Sequence, residues 1–301
     1  GRRLARRRLP RSRDTKRYVP PGFWPLHLFS LYFLAIGLQT DPGLRGDRQT
    51  DIFMEDDILY LDRPGGASLA YCYTPPRPGV KGTTLVFLPG YMSDMEGSKA
   101  LALDAWAKGQ GRAMLRLDYG GCGASGGAFE TQSLLDWRED VLFLIDKVTA
   151  GSITLVGSSM GGWLMLLVAL SRPMRVKNLV GVAAAPDFTD WGFTQEQKMT
   201  ILREGKLEEE SAYSDDPYVT TQIFWQSGET SRLLHKDIAF DGAVRLLHGQ
   251  KDTDVPWEYS LETARKIRSD DVQVHLVKDG DHRLSRDQDI ALLIDVVARL
   301  G

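Results

Sequence analysis

From residue 57 onward, short β-rich apolar runs alternate with longer stretches of helical periodicity. DILYL (57–61) and SLAYCY (68–73) flank DRPGGA, a turn rich in Gly and Pro, and predict a hairpin. TLVFLPG (84–90) is a continuous apolar run stopped by Pro-Gly, the pattern of a strand buried on both faces. RAMLRLD (112–118), SITLVG (152–157), NLVGVAAA (178–185), AVRLLHG (243–249) and VQVHLV (272–277) extend the strand set. Between them, SKALALDAWAKG (98–109), SLLDWREDVLFLIDKV (133–148) and GWLMLLVALSR (162–172) predict helices. Alternating strand and helix predicts an α/β fold: a mostly parallel central sheet with helices on both faces and right-handed crossovers.

The rhythm breaks over residues 186–240, which hold charged helical runs such as TQEQKMTILREGKLEEE and no clear strand. Eight of the 28 aromatics fall here: Phe188, Trp191, Phe193, Tyr213, Tyr218, Phe224, Trp225 and Phe240. A small helical lid over the sheet, lining an apolar substrate pocket, has this composition. So does a second small core packed on itself.

Composition adds a division of the chain. Net charge is −3 over 301 residues, but residues 1–40 carry nine Lys/Arg and one acid, about +8, leaving 28 bases and 39 acids, about −11, for the rest. An acidic body argues against a nucleic-acid groove. Residues 1–50 are expected to form a basic extension and residues 51–301 the main domain, with the lid inserted near 186–240. Three readings of the extension stand open: an Arg-rich transit peptide, a signal or anchor segment making membrane contact through Leu26–Leu38, or a disordered extension. That apolar run of thirteen residues is short for a bilayer span, which needs about 20. Two cysteines, Cys72 and Cys122, exclude a disulfide scaffold, and no histidines accompany them at zinc-ligand spacing. No repeat of solenoid length is present.

The chemistry concentrates in LVGSSMGGW (155–163). Gly157-Ser158-Ser159-Met160-Gly161 fits G-x-S-x-G after a predicted strand and before a predicted helix, the setting of a nucleophile elbow. The turn exposes the Ser159 hydroxyl and crowds the positions two before and two after, so both must be glycine or another very small residue. Ser158 does not fit the spacing. A serine needs a base and a group to orient it. Of the histidines after Ser159, His275 lies inside an apolar strand, His248 ends one and supports a turn, and His235 lies in the lid. His282, in the loop DGDHRLS after the last strand, is the expected base. The loop HGQKDTDVPW offers Asp252 and Asp254 as the acid, Asp254 also suiting an N-cap before Val255-Pro256. Asp279 and Asp281 suit turn chemistry. Backbone N–H groups of Met160, and of Tyr91 after the Pro89-Gly90 bend, are expected to form an oxyanion hole. The loop DYGGCGASGG (118–127) is expected to border the site; it is not a phosphate loop, and Cys122 in it is expected to be inert.

With these residues in view, the chain resembles the α/β-hydrolases and, among them, the palmitoyl-protein thioesterases. The matching stretches are LPGYMSDMEGSKALAL, LRLDYGGCGASGG, LVGSSMGGWLMLLVA, RLLHGQKDTDVPW and DGDHR, in the family's order over roughly residues 52–300. The family pattern HGxxDxxVP selects Asp252 over Asp254, so the resemblance implies a Ser159–His282–Asp252 triad. It implies no cofactor or metal, and hydrolysis of palmitoyl thioesters or acyl-glucuronide esters on a protein or a small molecule. It also implies a mitochondrial setting if the source is eukaryotic, and a cytoplasmic one otherwise. Other readings are a short-chain carboxylesterase or perhydrolase on the same triad, and a non-catalytic binding module. Ser159 argues against the aspartate-nucleophile dehalogenases and epoxide hydrolases.

Overall fold

The computed structural model describes residues 57–210 and 217–300. The chain divides into two units, Gly1–Phe53 and Met54–Gly301. The basic extension, with the targeting and membrane readings attached to it, lies outside the described residues.

The predicted hairpin is present as β1 (Leu59–Asp62) and β2 (Ser68–Thr74), antiparallel with Leu59 opposite Tyr71 and Asp62 opposite Ser68. There follow β3 (Thr84–Leu88), α1 (Ser98–Gln110), β4 (Met114–Leu117), α2 (Leu134–Val148), β5 (Ile153–Ser158), α3 (Met160–Ser171) and β6 (Val176–Val182). After the lid come β9 (Ala243–Gly249), α7 (Glu258–Lys266), β10 (Val272–Val277) and α8 (Asp287–Ala298). The strands form one eight-stranded sheet in the order β1-β2-β4-β3-β5-β6-β9-β10. β4, β3, β5, β6, β9 and β10 run parallel, and β2 is antiparallel to β4.

Side chains alternate across each strand, and the central strands are apolar on both sides because both faces are covered. Leu85 and Phe87 of β3 join a layer with Ala100, Leu103 and Ala107 of α1 and Leu293, Val296 and Val297 of α8. Val86 and Leu88 face the other way, toward Leu134, Trp137 and Val141 of α2 and the buried length of α3. α2 starts with a capping box: Asp136 N–H donates to Ser133 Oγ at 3.1 Å, and Ser133 N–H donates to the Asp136 carboxylate at 3.0 Å. α3 is apolar on every side, as a helix enclosed by sheet, α2 and lid must be.

The lid is mainly helical: α4 (Phe188–Trp191), α5 (Gln195–Glu204) and α6 (Gln222–Thr230). It also holds a small antiparallel ribbon, β7 (Lys206–Glu209) with β8 (Tyr218–Thr221), where the sequence shows no clear strand. The helical reading of KLEEE fails because α5 stops at Glu204, before Gly205 in the left-handed region (φ 81°). Two strands of four residues are too short for periodicity to reveal. Nor is the lid a core packed on itself. Phe224 and Phe240 belong to the same apolar cluster as α2 and α3. Tyr213 lies outside the described residues. Among those described, no helix is long and apolar enough to cross a membrane.

Candidate active site

Parallel strands deliver all their following loops to one edge of the sheet. The loops after β3, β5, β9 and β10 therefore bring Tyr91, Ser159, Asp252 and His282 to the same end.

Ser159 sits between β5 and α3 with φ 54° and ψ −121°, a conformation that costs about 1–3 kcal/mol for a residue with a side chain. The surroundings hold it there: Ser159 N–H donates to Val182 O at 2.9 Å, and its carbonyl accepts from Gly162 and Ala185 at 2.9 and 3.0 Å. Although Ser159 occupies the N-cap of α3, its hydroxyl makes no cap bond. The hydroxyl instead meets His282 Nε2 at 3.1 Å.

The two elbow glycines are required by space. A Cβ on Gly157 would lie 2.3 Å from Gly161 O, and one on Gly161 would lie 2.1 Å from Leu88 O, both backbone atoms. Gly161→Ala is therefore expected to destabilise the protein by about 3 kcal/mol, lowering Tm by roughly 10 °C in a domain of this size. Thermal unfolding of the variant checks this; an unchanged Tm would show that the β3 end yields freely.

His282 Nδ1 lies 2.8 Å from Asp252 Oδ2, and Asp252 Oδ1 accepts from the Asp254 and Val255 amides at 2.9 and 2.8 Å. Burial alone would push the Asp252 carboxyl up; the hydrogen bonds from His248 and His282 outweigh it and hold the group well below the ordinary carboxylate range. Asp252 is thus an anion facing the imidazole. The loops that carry the two residues are stitched together, since Gln250 N–H donates to Val277 O and Lys251 N–H to Gly280 O, each at 2.8 Å. Lys99 of α1 pins the histidine loop from outside by donating to Arg283 O at 2.5 Å. Burial, with the adjacent Arg283 guanidinium, pushes the Lys99 ammonium down to about 8.

Other expectations are refined. Asp254 does not cap α7, which begins at Glu258; two short i→i+3 bonds, Tyr259 N to Pro256 O and Ser260 N to Trp257 O, lead into it. Asp281 caps a turn by accepting from Leu284 N–H at 3.0 Å, and Asp279 pairs with Arg286 at 2.8 Å. His275 is half-buried on β10 and His235 is exposed in the lid. Burial pushes the Cys122 thiol up to about 12, which keeps it protonated. Asp252, Asp254 and His282 offer three ligand-type atoms within 4.8 Å, yet the imidazole and the Asp252 carboxylate are already engaged with each other.

Gly90 abuts the nucleophile: a Cβ there would lie 3.4 Å from Ser159 Cβ. The Tyr91 amide is the next backbone donor along the chain. Met160 opens α3, so its amide is one of the N–H groups a helix leaves without an internal acceptor. The loop 118–127 braces this wall. Tyr119 Oη donates to Pro89 O at 2.9 Å, and Asp118 accepts from Met95 N–H at 2.7 Å and Ala124 N–H at 2.9 Å.

The side chain of Tyr91 has a role that sequence did not reveal. Its ring is buried among Phe129, Trp137, Phe188, Tyr218 and Phe224, with ring centres 4.6 to 6.2 Å away. Its hydroxyl donates to Val219 O of β8 at 2.7 Å. One residue thus ties the loop beside the nucleophile to the lid. Tyr91→Phe removes the hydroxyl donor to the half-buried Val219 carbonyl and is expected to cost about 1 kcal/mol, or roughly 3 °C in Tm. A Tm unchanged within 1 °C (about the error of such a scan) would show that water replaces the hydroxyl.

Residues 83–205 match the family model for the alpha/beta hydrolase fold. The mitochondrial palmitoyl-protein thioesterase of Homo sapiens is 41% identical over 241 residues, 79% of this chain and 78% of the human one. The structure resembles α/β-hydrolase domain-containing protein 10 from mouse, with a TM-score of 0.74 and 38% identity over 81% of this chain and all of the mouse one (100%). It also resembles a putative hydrolase from Agrobacterium vitis S4, with a TM-score of 0.76 and 34% identity, over 82% of this chain and 98% of that one.

Proposed function

Because the chain belongs to the α/β-hydrolase family and is a hydrolase, we propose that it cleaves acyl thioesters, with Ser159 as nucleophile, His282 as base and Asp252 as the residue that orients the base. The observation carrying this reading is the unbroken run of hydrogen-bond contacts from a strained elbow serine, 3.1 Å to the imidazole and 2.8 Å on to the carboxylate. Ser159 Oγ attacks the acyl carbonyl while His282 Nε2 takes its proton. Negative charge gathers on the carbonyl oxygen, where the Met160 and Tyr91 amides donate to it. Collapse breaks the carbon–sulfur bond, and His282 returns the proton to the leaving thiolate. Water, deprotonated in turn by His282, then releases the fatty acid and restores Ser159.

The thioester preference is supported by the human relative, which is named a palmitoyl-protein thioesterase. The acylated substrate is proposed to be a protein or small molecule with a long apolar chain, and no cofactor enters the cycle. The human and bovine relatives are named mitochondrial, and in a eukaryotic cell the same compartment is proposed for this chain. The catalytic domain is proposed to run from about residue 51 to the end of the sequence, with the lid over 186–240.

Matched acyl thioesters and p-nitrophenyl esters, from short to long chains, test the reading, with Ser159→Ala as the control. Highest kcat/KM on the long thioesters is the expected result. A maximum on short oxygen esters would make the protein a general carboxylesterase. A wild type that neither turns over nor reacts with a fluorophosphonate probe would be a binding module.

A further inference from the structure

His248 is the last side chain before the turn that ends β9, four residues ahead of Asp252. Alternation along the strand puts it on the same face as Val244 and Leu246, under α7, where it is fully buried (0% exposed). A buried imidazole there must find partners on both ring nitrogens. Nε2 lies 3.0 Å from Asp252 Oδ2 and 3.0 Å from Val255 O. Both are acceptors, so the ring proton resides on Nε2. Nδ1 lies 2.7 Å from Ser260 Oγ of α7 and accepts its hydroxyl proton.

The oxygen that receives His248 is also the one that receives His282 Nδ1. Asp252 Oδ1 meanwhile takes two backbone amides. The carboxylate is therefore held by four donors and cannot rotate without breaking several of them. The ionisable groups around this pair are Asp252 and Asp254 in the shared loop, Asp281 and Arg283 beside His282, and Lys99 reaching in from α1. From α7 comes the Ser260 hydroxyl, and the β10 register sets Leu276 alongside His248.

We propose that His248 is a positioning residue of the catalytic site: by sharing Asp252 Oδ2 with His282 it fixes the carboxylate and draws off part of its charge, and so sets how strongly His282 holds a proton. This rests on the triad reading above. Without the His248 donor, more of the Asp252 charge falls on His282, which then keeps its proton to higher pH. A less constrained carboxylate also orients the base less well.

The test uses the rate of fluorophosphonate labelling of Ser159 as a function of pH, which needs the base but no particular acyl substrate. His248→Leu keeps the volume and removes the donor; His248→Gln keeps an N–H near the Nε2 position. The leucine variant is expected to label about tenfold more slowly at its plateau, with the acid limb displaced to higher pH. The glutamine variant is expected to return the limb to the wild-type position and recover most of the rate. A leucine variant that matches the wild type overturns the proposal. So do two variants slowed equally with an unmoved limb, since that is turn support alone. If the leucine variant does not fold, His248→Asn decides, since it stays polar but is too short to keep a donor at the Nε2 position: a displaced limb supports the proposal and an unmoved one overturns it. A wild type that does not label overturns the triad reading itself, and with it this inference.

Discussion

Ser159→Ala is expected to lower kcat/KM by about 10⁴-fold or more, with the fold intact. The hydroxyl is half-buried, makes no cap bond to α3 and meets only the imidazole among the hydrogen-bond partners described. Its removal therefore costs little packing and relieves no clash. What remains is the binding of the acyl group and the amides beside it, which by themselves leave modest rate enhancement. His282→Ala is expected to cost a similar factor, and the double variant no more than either single one, because nucleophile and base act as a unit. Steady-state kinetics on one thioester, with circular dichroism to confirm folding, measure all three. Turnover within tenfold of wild type for Ser159→Ala would remove Ser159 from the mechanism.

Asp252→Asn is expected to cost about 10³-fold in kcat, far more than Asp254→Asn. The reason is a conflict over donors. Asp252 Oδ1 receives two amides and Oδ2 receives two imidazole nitrogens, so the carboxylate only accepts. An asparagine must turn its NH₂ toward one of these pairs. Facing the backbone amides it would set donor against donor. Facing the imidazoles it would force the proton on His282 from Nδ1 to Nε2, the nitrogen that must accept from Ser159. The Asp254 side chain is exposed, and what it gives Asp252 is its backbone amide, which asparagine keeps, so its replacement is expected to stay within about threefold, as surface substitutions do. The reverse order of effects would exchange their roles.

The convergence of Ser159, His282 and Asp252 was legible because each stands where a parallel sheet must present it. G-x-S-x-G between a strand and a helix, and loops after the last two strands holding Asp252 and His282, leave few arrangements. Two side chains were not legible for the same physical reason. Tyr91 enters the sequence reading only through its backbone amide, and its ring contacts residues from 129 to 224, a network with no local periodicity. His248 looked like a turn support, and is one. Its second role appears only when the turn folds Asp252 back over the strand end, although the four-residue separation in HGQKD is a visible trace of it. The ribbon in the lid failed to register because its strands are four residues long and one is rich in Lys and Glu. Strand pairing supplied what composition lacked.

The contact between His282 and Ser159 closes over 123 residues of chain, and that between His282 and Asp252 over 30. Synthesis is vectorial, so a ribosome completes the elbow long before it reaches the base. Through that interval the serine has no partner to activate it, and β9 and β10, which carry the other two members, have yet to join the edge of the sheet. On the triad proposed above, a nascent chain is expected to stay inert toward acyl donors until nearly its last helix emerges, and a protein clipped within that final stretch to lose its chemistry while keeping most of its sheet.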